Sequence, residues 1–173
     1  MLAKVFSSAV LGIDAALVEV EVDIAAGLPA FAVVGLPDAS VKESRERVKA
    51  AVQNSGLDFP FRRITVNLAP ADVRKEGSAY DLPIAIGLLN ATGVIPTAPL
   101  QTYVILGELS LDGRVKPIKG ALSIALAAEK AGMRGLIVPR ENAAEAAVVQ
   151  GVAVYAADSL PQVIEFLTGK LLL

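Results

Sequence analysis

The first part of the chain alternates apolar and polar residues in a way that predicts strands. From Ala16 to Ile24, valines alternate with carboxylates, which is the period-two pattern of a half-buried strand. Residues 1–14 also indicate a strand, because serines interrupt an apolar stretch that is poor as a signal peptide. The apolar segment Ala30–Gly35 is bounded by Gly-Leu-Pro turns, so we predict a buried strand there.

Helical spacing dominates the next region. Ser40 followed by Glu43 is a capping-box pattern, and valines at helical spacing then predict a helix that ends at Asn54–Gly56. The segment Arg62–Pro70 indicates another strand. Asp81–Leu89 is apolar enough to predict a buried helix, with a proline in its first turn where a missing N–H costs little.

The second half of the chain alternates predicted strands and helices. An Asp-Gly turn separates Val104–Leu111 from the following apolar residues, which predicts two strands joined by a tight turn. A helix is expected over Lys119–Ala131, and two further strands, each followed by a helix, extend to Leu167. Because such alternation favours parallel pairing, we predict a mixed α/β domain without internal repeats.

Composition narrows the possible chemistry. The 173 residues fit one domain, and 54% hydrophobic residues with a mean hydropathy of +0.56 predict a folded core. The chain has no Cys and no His, which excludes disulfides, thiolate or imidazole zinc sites and a Ser-His-Asp relay. No apolar run approaches the roughly 20 residues of a membrane span. We therefore expect a cytoplasmic protein with no membrane partner.

Charge and motifs give little direct indication of function. The net charge is −2, whereas a dedicated nucleic-acid-binding domain usually has an excess of basic residues. Any basic site in this chain is therefore local. Gly169-Lys170 is not part of a G-x-x-x-x-G-K-[ST] sequence, and no dinucleotide fingerprint occurs. We expect no cofactor and no metal in this domain.

Two groups of carboxylates are candidates for chemical sites. The row Glu19, Glu21 and Asp23 fits a solvated strand face better than a divalent-cation site, because nothing supplies the other ligands. Four further carboxylates fall in or near loops or strand ends: Glu76, Asp81, Glu108 and Asp112. Spacing does not select a catalytic pair among them, so surface charge is the expectation for all four.

Three long segments resemble one known family. They are VGLPDASVKESRERVKAAVQNSG, ITVNLAPADVRKEGSAYDLPIAIGLL and GELSLDGRVKPIKG. They resemble the amino-terminal domain of the magnesium-chelatase-like competence proteins, the ComM/YifB family, whose members join it to an AAA+ ATPase. The resemblance runs from about Lys4 to Leu167. It implies a single Lon-like domain over residues 1–168, with 169–173 beginning a linker to the ATPase domain.

The resemblance also implies a function for the longer protein. ATP and Mg²⁺ would belong to the AAA+ domain, and the whole would form a ring-shaped homo-oligomer, expected to be a hexamer. The family is associated with ATP-driven DNA branch migration in recombination and natural transformation. DNA is therefore an expected partner of the full-length protein.

A second resemblance concerns the fold and a possible active site. GELSLDGRVKPIKG followed by LIVPREN is similar to the proteolytic domain of Lon and the carboxy-terminal domain of RadA, which implies a ribosomal-S5-domain-2-like fold. Lon uses a Ser-Lys dyad. Laying its serine pattern over residues 75–81 places Ala79 at the nucleophile, and its lysine pattern places Leu122 at the base. The resemblance therefore implies a non-catalytic domain.

Two alternatives stay open beside the scaffold interpretation. Ser78 lies one residue before the nucleophile position and Lys119 one helical turn before the lysine position, so a slipped dyad would make a Lon-type peptidase. A protein-interaction module that touches no nucleic acid is the other alternative.

If DNA is the partner, phosphate contacts are expected where positive charge clusters. Three cations fall on one face of the predicted helix after Ser40, and four more lie near strand ends and loops. The candidates are Lys42, Arg45, Lys49, Arg62, Arg63, Arg74 and Lys75.

Overall fold

A computed structural model describes all residues from 1 to 173 and contains nine strands, six α-helices and a short 3-10 helix. The strands are β1 (Leu2–Leu11), β2 (Asp14–Ala25), β3 (Ala30–Val34), β4 (Arg63–Ala69), β5 (Tyr103–Ile105), β6 (Glu108–Leu109), β7 (Val115–Lys116), β8 (Gly135–Pro139) and β9 (Ala153–Ala157). The helices are α1 (Ala39–Lys42), α2 (Ser44–Asn54), α3 (Asp81–Ala91), α4 (Ala121–Lys130), α5 (Arg140–Ala146) and α6 (Leu160–Leu167), with the 3-10 helix at Ala98–Gln101.

Seven strands form one mixed sheet in the order β3-β4-β2-β1-β5-β8-β9. The pairs β1–β2 and β2–β4 are antiparallel, whereas β3–β4, β1–β5, β5–β8 and β8–β9 are parallel. The remaining strands, β6 and β7, form a separate antiparallel pair. The predicted mixed α/β fold is confirmed, as is parallel pairing in the second half of the chain.

The sheet is packed on both faces, but unequally. The larger apolar cluster includes the alternating valines of β2 and residues of α2, α3 and α6. Every residue of α3 is buried, so this helix has no solvent-facing side and owes its stability to packing. The smaller cluster joins α4 and α5 to β5 and β8 on the other face. None of the helices is both long enough and apolar enough to cross a bilayer.

The carboxylate row of β2 lies outside these clusters. Lys4 lies 3.9 Å from Glu19, and Asn67 donates to Glu21 at 2.8 Å. The terminal amine of Met1 lies 3.9 Å from Asp23. All three carboxylates thus have a polar or charged neighbour within the protein, and no group of three or more acidic side chains in the chain is arranged to hold a metal ion.

Two local predictions need correction. The helix after the second Gly-Leu-Pro turn is capped by Asp38, whose carboxylate accepts from the Val41 amide at 2.8 Å, so Ser40 is not the cap. The helix also divides at Glu43 into α1 and α2. The segment Ala30–Gly35 is not buried, because β3 is an edge strand that pairs only with β4, and alternate residues of β3 face solvent.

The predicted strand Val104–Leu111 also divides. β5 ends at Ile105, and the Leu106 amide still bonds to the neighbouring strand β8, at the Ile137 carbonyl, with a distance of 3.1 Å. The Gly107 amide then donates to Ala79 at 2.9 Å rather than to the sheet. The chain therefore leaves the sheet here, and the hairpin at the Asp-Gly turn is built from the short strands β6 and β7.

Candidate functional site

A cleft of about 570 Å³ opens beside the carboxyl end of β1. The Glu76–Tyr80 loop and the Pro117–Lys119 segment contribute to its walls. Ala9, Leu106 and Ile124 are almost fully buried and give it an apolar floor. The charged residues that line it are Asp38, Arg74, Glu76, Glu108 and Lys119. Its size is typical of ligand pockets, which span roughly 300–1,000 Å³.

Backbone hydrogen bonds hold the Glu76–Tyr80 loop in place. Ala79 accepts from the Gly107 amide at 2.9 Å, and the Gly107 carbonyl accepts from the Leu82 amide at 3.0 Å. Asp38 uses its second carboxylate oxygen to accept from the Gly77 amide at 3.1 Å. The loop is therefore fixed at both ends by distant parts of the chain, and Ser78 and Ala79 are presented to the cleft.

A buried ion pair anchors the carboxyl end of this loop. Asp81, the first residue of α3, is 0% exposed, and Arg47 donates to both its oxygens, at 2.6 and 3.1 Å. The Ser44 hydroxyl donates to Asp81 at 2.7 Å and the Leu109 amide at 3.1 Å. Burial raises the pKa of Asp81 above its ordinary value, although the bonds from Arg47, Leu109 and Ser44 oppose this. The cluster ties α2, α3 and β6 together.

A buried lysine anchors the other end. Lys75 is 0% exposed, and its ammonium group donates to the Gly35 carbonyl at 2.7 Å and to the Pro70 carbonyl. Gly35 fits this position because its φ is +102° and a Cβ would lie 2.2 Å from the Leu68 carbonyl oxygen. Burial lowers the pKa of Lys75. The assignment of Lys75 as a phosphate contact is therefore wrong for this conformation, since its charge faces inward.

The structure does not bring Ser78 and Lys119 together as a dyad. The Ser78 hydroxyl donates to Glu108, and Lys119 makes no hydrogen bond or ion pair. Glu108 itself lies 3.9 Å from the Lys116 ammonium group. The group beside the Ser78 hydroxyl is therefore the Glu108 carboxylate, which accepts its hydrogen bond. A lysine that could remove the hydroxyl proton is not in this position.

The two positions aligned with the Lon dyad have different surroundings. Ala79 lines the cleft, whereas Leu122 does not and is 40% exposed on the first turn of α4. The Leu122 amide lies 3.3 Å from Glu145. Asn142 fixes the nearby wall, since its side chain donates to the Ile118 carbonyl at 2.8 Å and accepts from the Ile118 amide at 2.9 Å.

The other six predicted phosphate contacts do not all lie on one surface, because Arg74 is separate from the rest. Lys42, Arg45 and Lys49 lie on α1 and α2, where Arg45 is 3.7 Å from Glu46 and the Lys49 ammonium group is 5.6 Å from the Phe61 ring centre. Arg62 and Arg63 follow Phe61 and are exposed. Arg74 lies apart, at the cleft, where it pairs with Glu76 at 3.1 Å.

The four loop carboxylates also differ from the expectation of uniform surface charge. Glu76 and Asp112 are exposed and pair with nearby arginines, and Glu108 is half-buried in the cleft. Asp81 is wholly buried, so the prediction that it is a surface charge is wrong.

The sequence analysis did not identify Arg47 as a functional residue. Arg47 lies three residues after Ser44 on α2, and this spacing is the only local sign that both side chains reach the same partner.

The fold and the cleft define a mixed α/β domain of the Lon-like class. A Lon protease of Trichlorobacter lovleyi is 28% identical over 133 residues, which cover 73% of this chain and 16% of that protein. The chain belongs to the family described as subunit ChlI of Mg-chelatase, whose sequence model matches residues 20–142.

Several relatives match nearly the whole chain, and two of them illustrate the likeness. YifB of Salmonella typhimurium is 47% identical over 169 residues, and competence protein ComM of Haemophilus influenzae is 43% identical over the same length. The alignments cover 98% of this chain and 33% of each relative. The chain therefore spans about a third of the length of these proteins, and the magnesium-chelatase-like resemblance is confirmed.

Proposed function

We propose that this chain is a non-catalytic Lon-like domain of a magnesium-chelatase-like AAA+ ATPase. In the full-length protein it acts as a scaffold that helps to assemble the ring, expected to be a hexamer, and guides DNA during ATP-driven branch migration. ATP and Mg²⁺ would bind to the ATPase domain. The proposal places the protein in the cytoplasm, in recombination and natural transformation.

The absence of dyad chemistry at the cleft is the observation that carries the proposal. At the two positions aligned with the Lon dyad, Ala79 has no nucleophile and Leu122 has no base, and the neighbouring Ser78 is hydrogen-bonded to Glu108. A Ser-Lys peptidase requires a partly deprotonated lysine in contact with the serine hydroxyl. The likeness to a competence protein supports the connection with DNA uptake and recombination.

The non-catalytic part is tested with a serine-reactive fluorophosphonate. We expect labelling of the full-length protein no greater than that of a Ser78→Ala variant, and no peptide hydrolysis that depends on Ser78. Labelling that disappears in both Ser78→Ala and Lys119→Met variants would support the peptidase alternative instead.

The cation face of α1 and α2 is the surface that we assign to DNA guidance. Lys42 and Arg45 are exposed and Lys49 is half-buried along this segment, and ring formation would multiply a weak contact by avidity. Arg62 and Arg63 extend the candidate surface because Phe61, their neighbour, lies against Lys49. Arg74 is a weaker candidate, since Glu76 neutralises it.

The DNA role is tested by reversing charge in the full-length protein. Changing Lys42, Arg45 and Lys49 to glutamate should weaken DNA binding for all sequences and flatten its dependence on salt, because each phosphate that is no longer neutralised reduces the slope by about one unit. The control changes Lys130, Arg134 and Lys170, which are exposed elsewhere, to glutamate. Equal effects of the two triple variants would remove the helix face from the proposal.

A further inference from the structure

We infer that the surface around Phe61 binds single-stranded DNA, with an unpaired base stacked on the Phe61 ring and the adjoining phosphates held by nearby cations. The inference rests on the proposed DNA role and deepens it, because it names the form of the ligand and the residue that contacts its bases. Three features support it: the exposure of the ring, the aromatic support beneath it and the unpaired cations beside it.

Phe61 is the most exposed aromatic residue of the chain. It is 65% exposed, whereas Phe59, two residues earlier, is 9% exposed and belongs to the larger apolar cluster. All other aromatic residues are buried or half-buried. Single exposed apolar side chains are common on protein surfaces, so exposure alone does not indicate a ligand. The inference therefore depends on what lies around Phe61.

The ring of Phe61 is supported by other aromatic side chains. It meets Phe59 edge to face, with ring centres 6.4 Å apart and 72° between the planes, and Phe59 stacks on Phe31 at 6.4 Å. Pro60 lies between the first two residues in sequence, and a proline fixes its own φ at about −65°. Because Phe59 is anchored in the core, Phe61 is positioned before a ligand arrives, which reduces the entropy lost on binding.

Three cations close to this ring have no partner within the chain. The Lys49 ammonium group lies 5.6 Å from the ring centre, within the range of a cation–π contact. Arg62 and Arg63 follow Phe61 directly and are exposed. None of the three cations forms an ion pair. Asp58 is the one acidic residue between positions 54 and 64, so positive charge that can neutralise phosphates predominates beside the ring.

A phenyl ring among cations fits a single strand better than a duplex. In a duplex the faces of the bases are covered by their neighbours, and a protein contacts mainly phosphates and base edges. Single strands expose those faces, and proteins that bind them combine stacked aromatic side chains with positive charge along the backbone. The Phe61 ring has no hydrogen-bonding group, so its contact with a base should be independent of sequence.

The other aromatic cluster of the protein lacks this combination. Tyr103, Tyr155 and Phe166 pack on one another, with ring centres between 4.9 and 5.5 Å apart, and each is half-buried. The cation–π contact of the chain is at Phe61 and not at these rings. Their faces are used within the fold, so we expect no base to stack there.

The first test uses fluorescence, because the chain has no tryptophan and Phe61→Trp introduces a single reporter at the site. The probes are an oligothymidylate, an abasic strand of equal length and a duplex of equal length, each added to the 173-residue chain at low salt. We expect the oligothymidylate to quench the tryptophan, since its bases can stack on the indole ring. The abasic strand and the duplex should not quench it.

Phe61→Leu gives a second measurement, because it keeps an apolar side chain but removes the ring. Its affinity for fluorescein-labelled oligothymidylate, measured by anisotropy, should fall about tenfold, which corresponds to about 1.4 kcal/mol. Its affinity for the abasic strand should equal that of the wild type. The matched control, Val148→Ala, removes exposed apolar surface elsewhere and should bind all probes as the wild type does. Circular dichroism verifies that both variants are folded.

The outcomes distinguish this inference from the proposed function. Equal affinity for all three probes, unchanged by Phe61→Leu, would overturn the single-strand inference and leave the DNA role in place. If no probe binds to the chain at about 1 mM, the inference is also overturned, and charge reversal in the full-length protein decides the DNA role separately. Self-association of the chain that Phe61→Leu abolishes, without binding of any strand, would show instead that the ring contacts a second copy.

Discussion

Two arginine–aspartate pairs in this protein have nearly the same geometry and different roles. Arg47 binds Asp81 through Nε at 2.6 Å and Nη2 at 3.1 Å, and Arg140 binds Asp158 through the same atoms at 2.7 and 2.9 Å. Asp81 has no exposed side-chain surface, whereas that of Asp158 is 51% exposed. The aspartates accordingly shift in opposite directions, since burial raises the pKa of Asp81 and the bond from Arg140 lowers the pKa of Asp158.

The difference shows that contact geometry alone does not reveal what an ion pair does. The interior pair also receives the Ser44 hydroxyl and the Leu109 amide, so three separate elements depend on one carboxylate. It fixes the end of the loop that presents Ser78 to the cleft. The surface pair joins the start of α5 to the residue after β9, with water available to both partners. Removing a partner should therefore have very different consequences.

The largest effect is expected for Asp81→Ala. The substitution leaves Arg47 and the Leu109 amide without their partner in a buried site, which should lower the free energy of unfolding by about 3–5 kcal/mol. Urea denaturation followed by circular dichroism measures it. The control, Asp158→Ala, should lower the midpoint only slightly, because an exposed ion pair contributes little to stability. Equal midpoints for the two variants would show that burial does not separate the pairs.

Lys75→Met sharpens the comparison by testing a buried charge that has no carboxylate partner. The methionine stem fills similar space, but the Gly35 and Pro70 carbonyls lose their donor, which should cost about 2 kcal/mol. Urea denaturation should show this loss, and Lys119→Met, at the cleft, should show none. A neutral result for Lys75→Met would mean that the lysine stem alone stabilises the site.

Local patterns in the sequence predicted most of the elements because those patterns report burial. The alternating valines of β2 and the apolar run of α3 lie in the core as expected. The edge position of β3 was missed, since strand order depends on pairing between distant segments. The break after β5 was missed for the same reason, because it depends on the hydrogen bond from the Gly107 amide to Ala79.

The site was predictable only in part. The resemblance to Lon aligned Ala79 with the nucleophile, and the structure shows that this residue lines the cleft. The residues that hold its loop could not be predicted from a charged sequence such as Lys75-Glu76-Gly77. Whether a lysine or aspartate is buried depends on partners 34 to 40 residues away, as Arg47 is for Asp81 and Gly35 is for Lys75. No local periodicity carries that information.

The smallest expected effect is on the pH dependence of folding stability. The two aspartates should contribute to this dependence with opposite signs. Asp158 has a lowered pKa in the folded state, so its contribution to stability is present above the unfolded value near 3.8 and is lost as pH falls through the folded value. Asp81 has a raised pKa, so its contribution is full below 3.8 and declines as pH rises through the folded value. Urea midpoints between about pH 3 and 7, compared with Asp158→Asn and Asp81→Asn, should therefore diverge from the wild type in opposite directions. Slopes of the same sign would show that the charge of Arg47 outweighs burial at Asp81, and the interior pair would then differ from the surface pair only in degree.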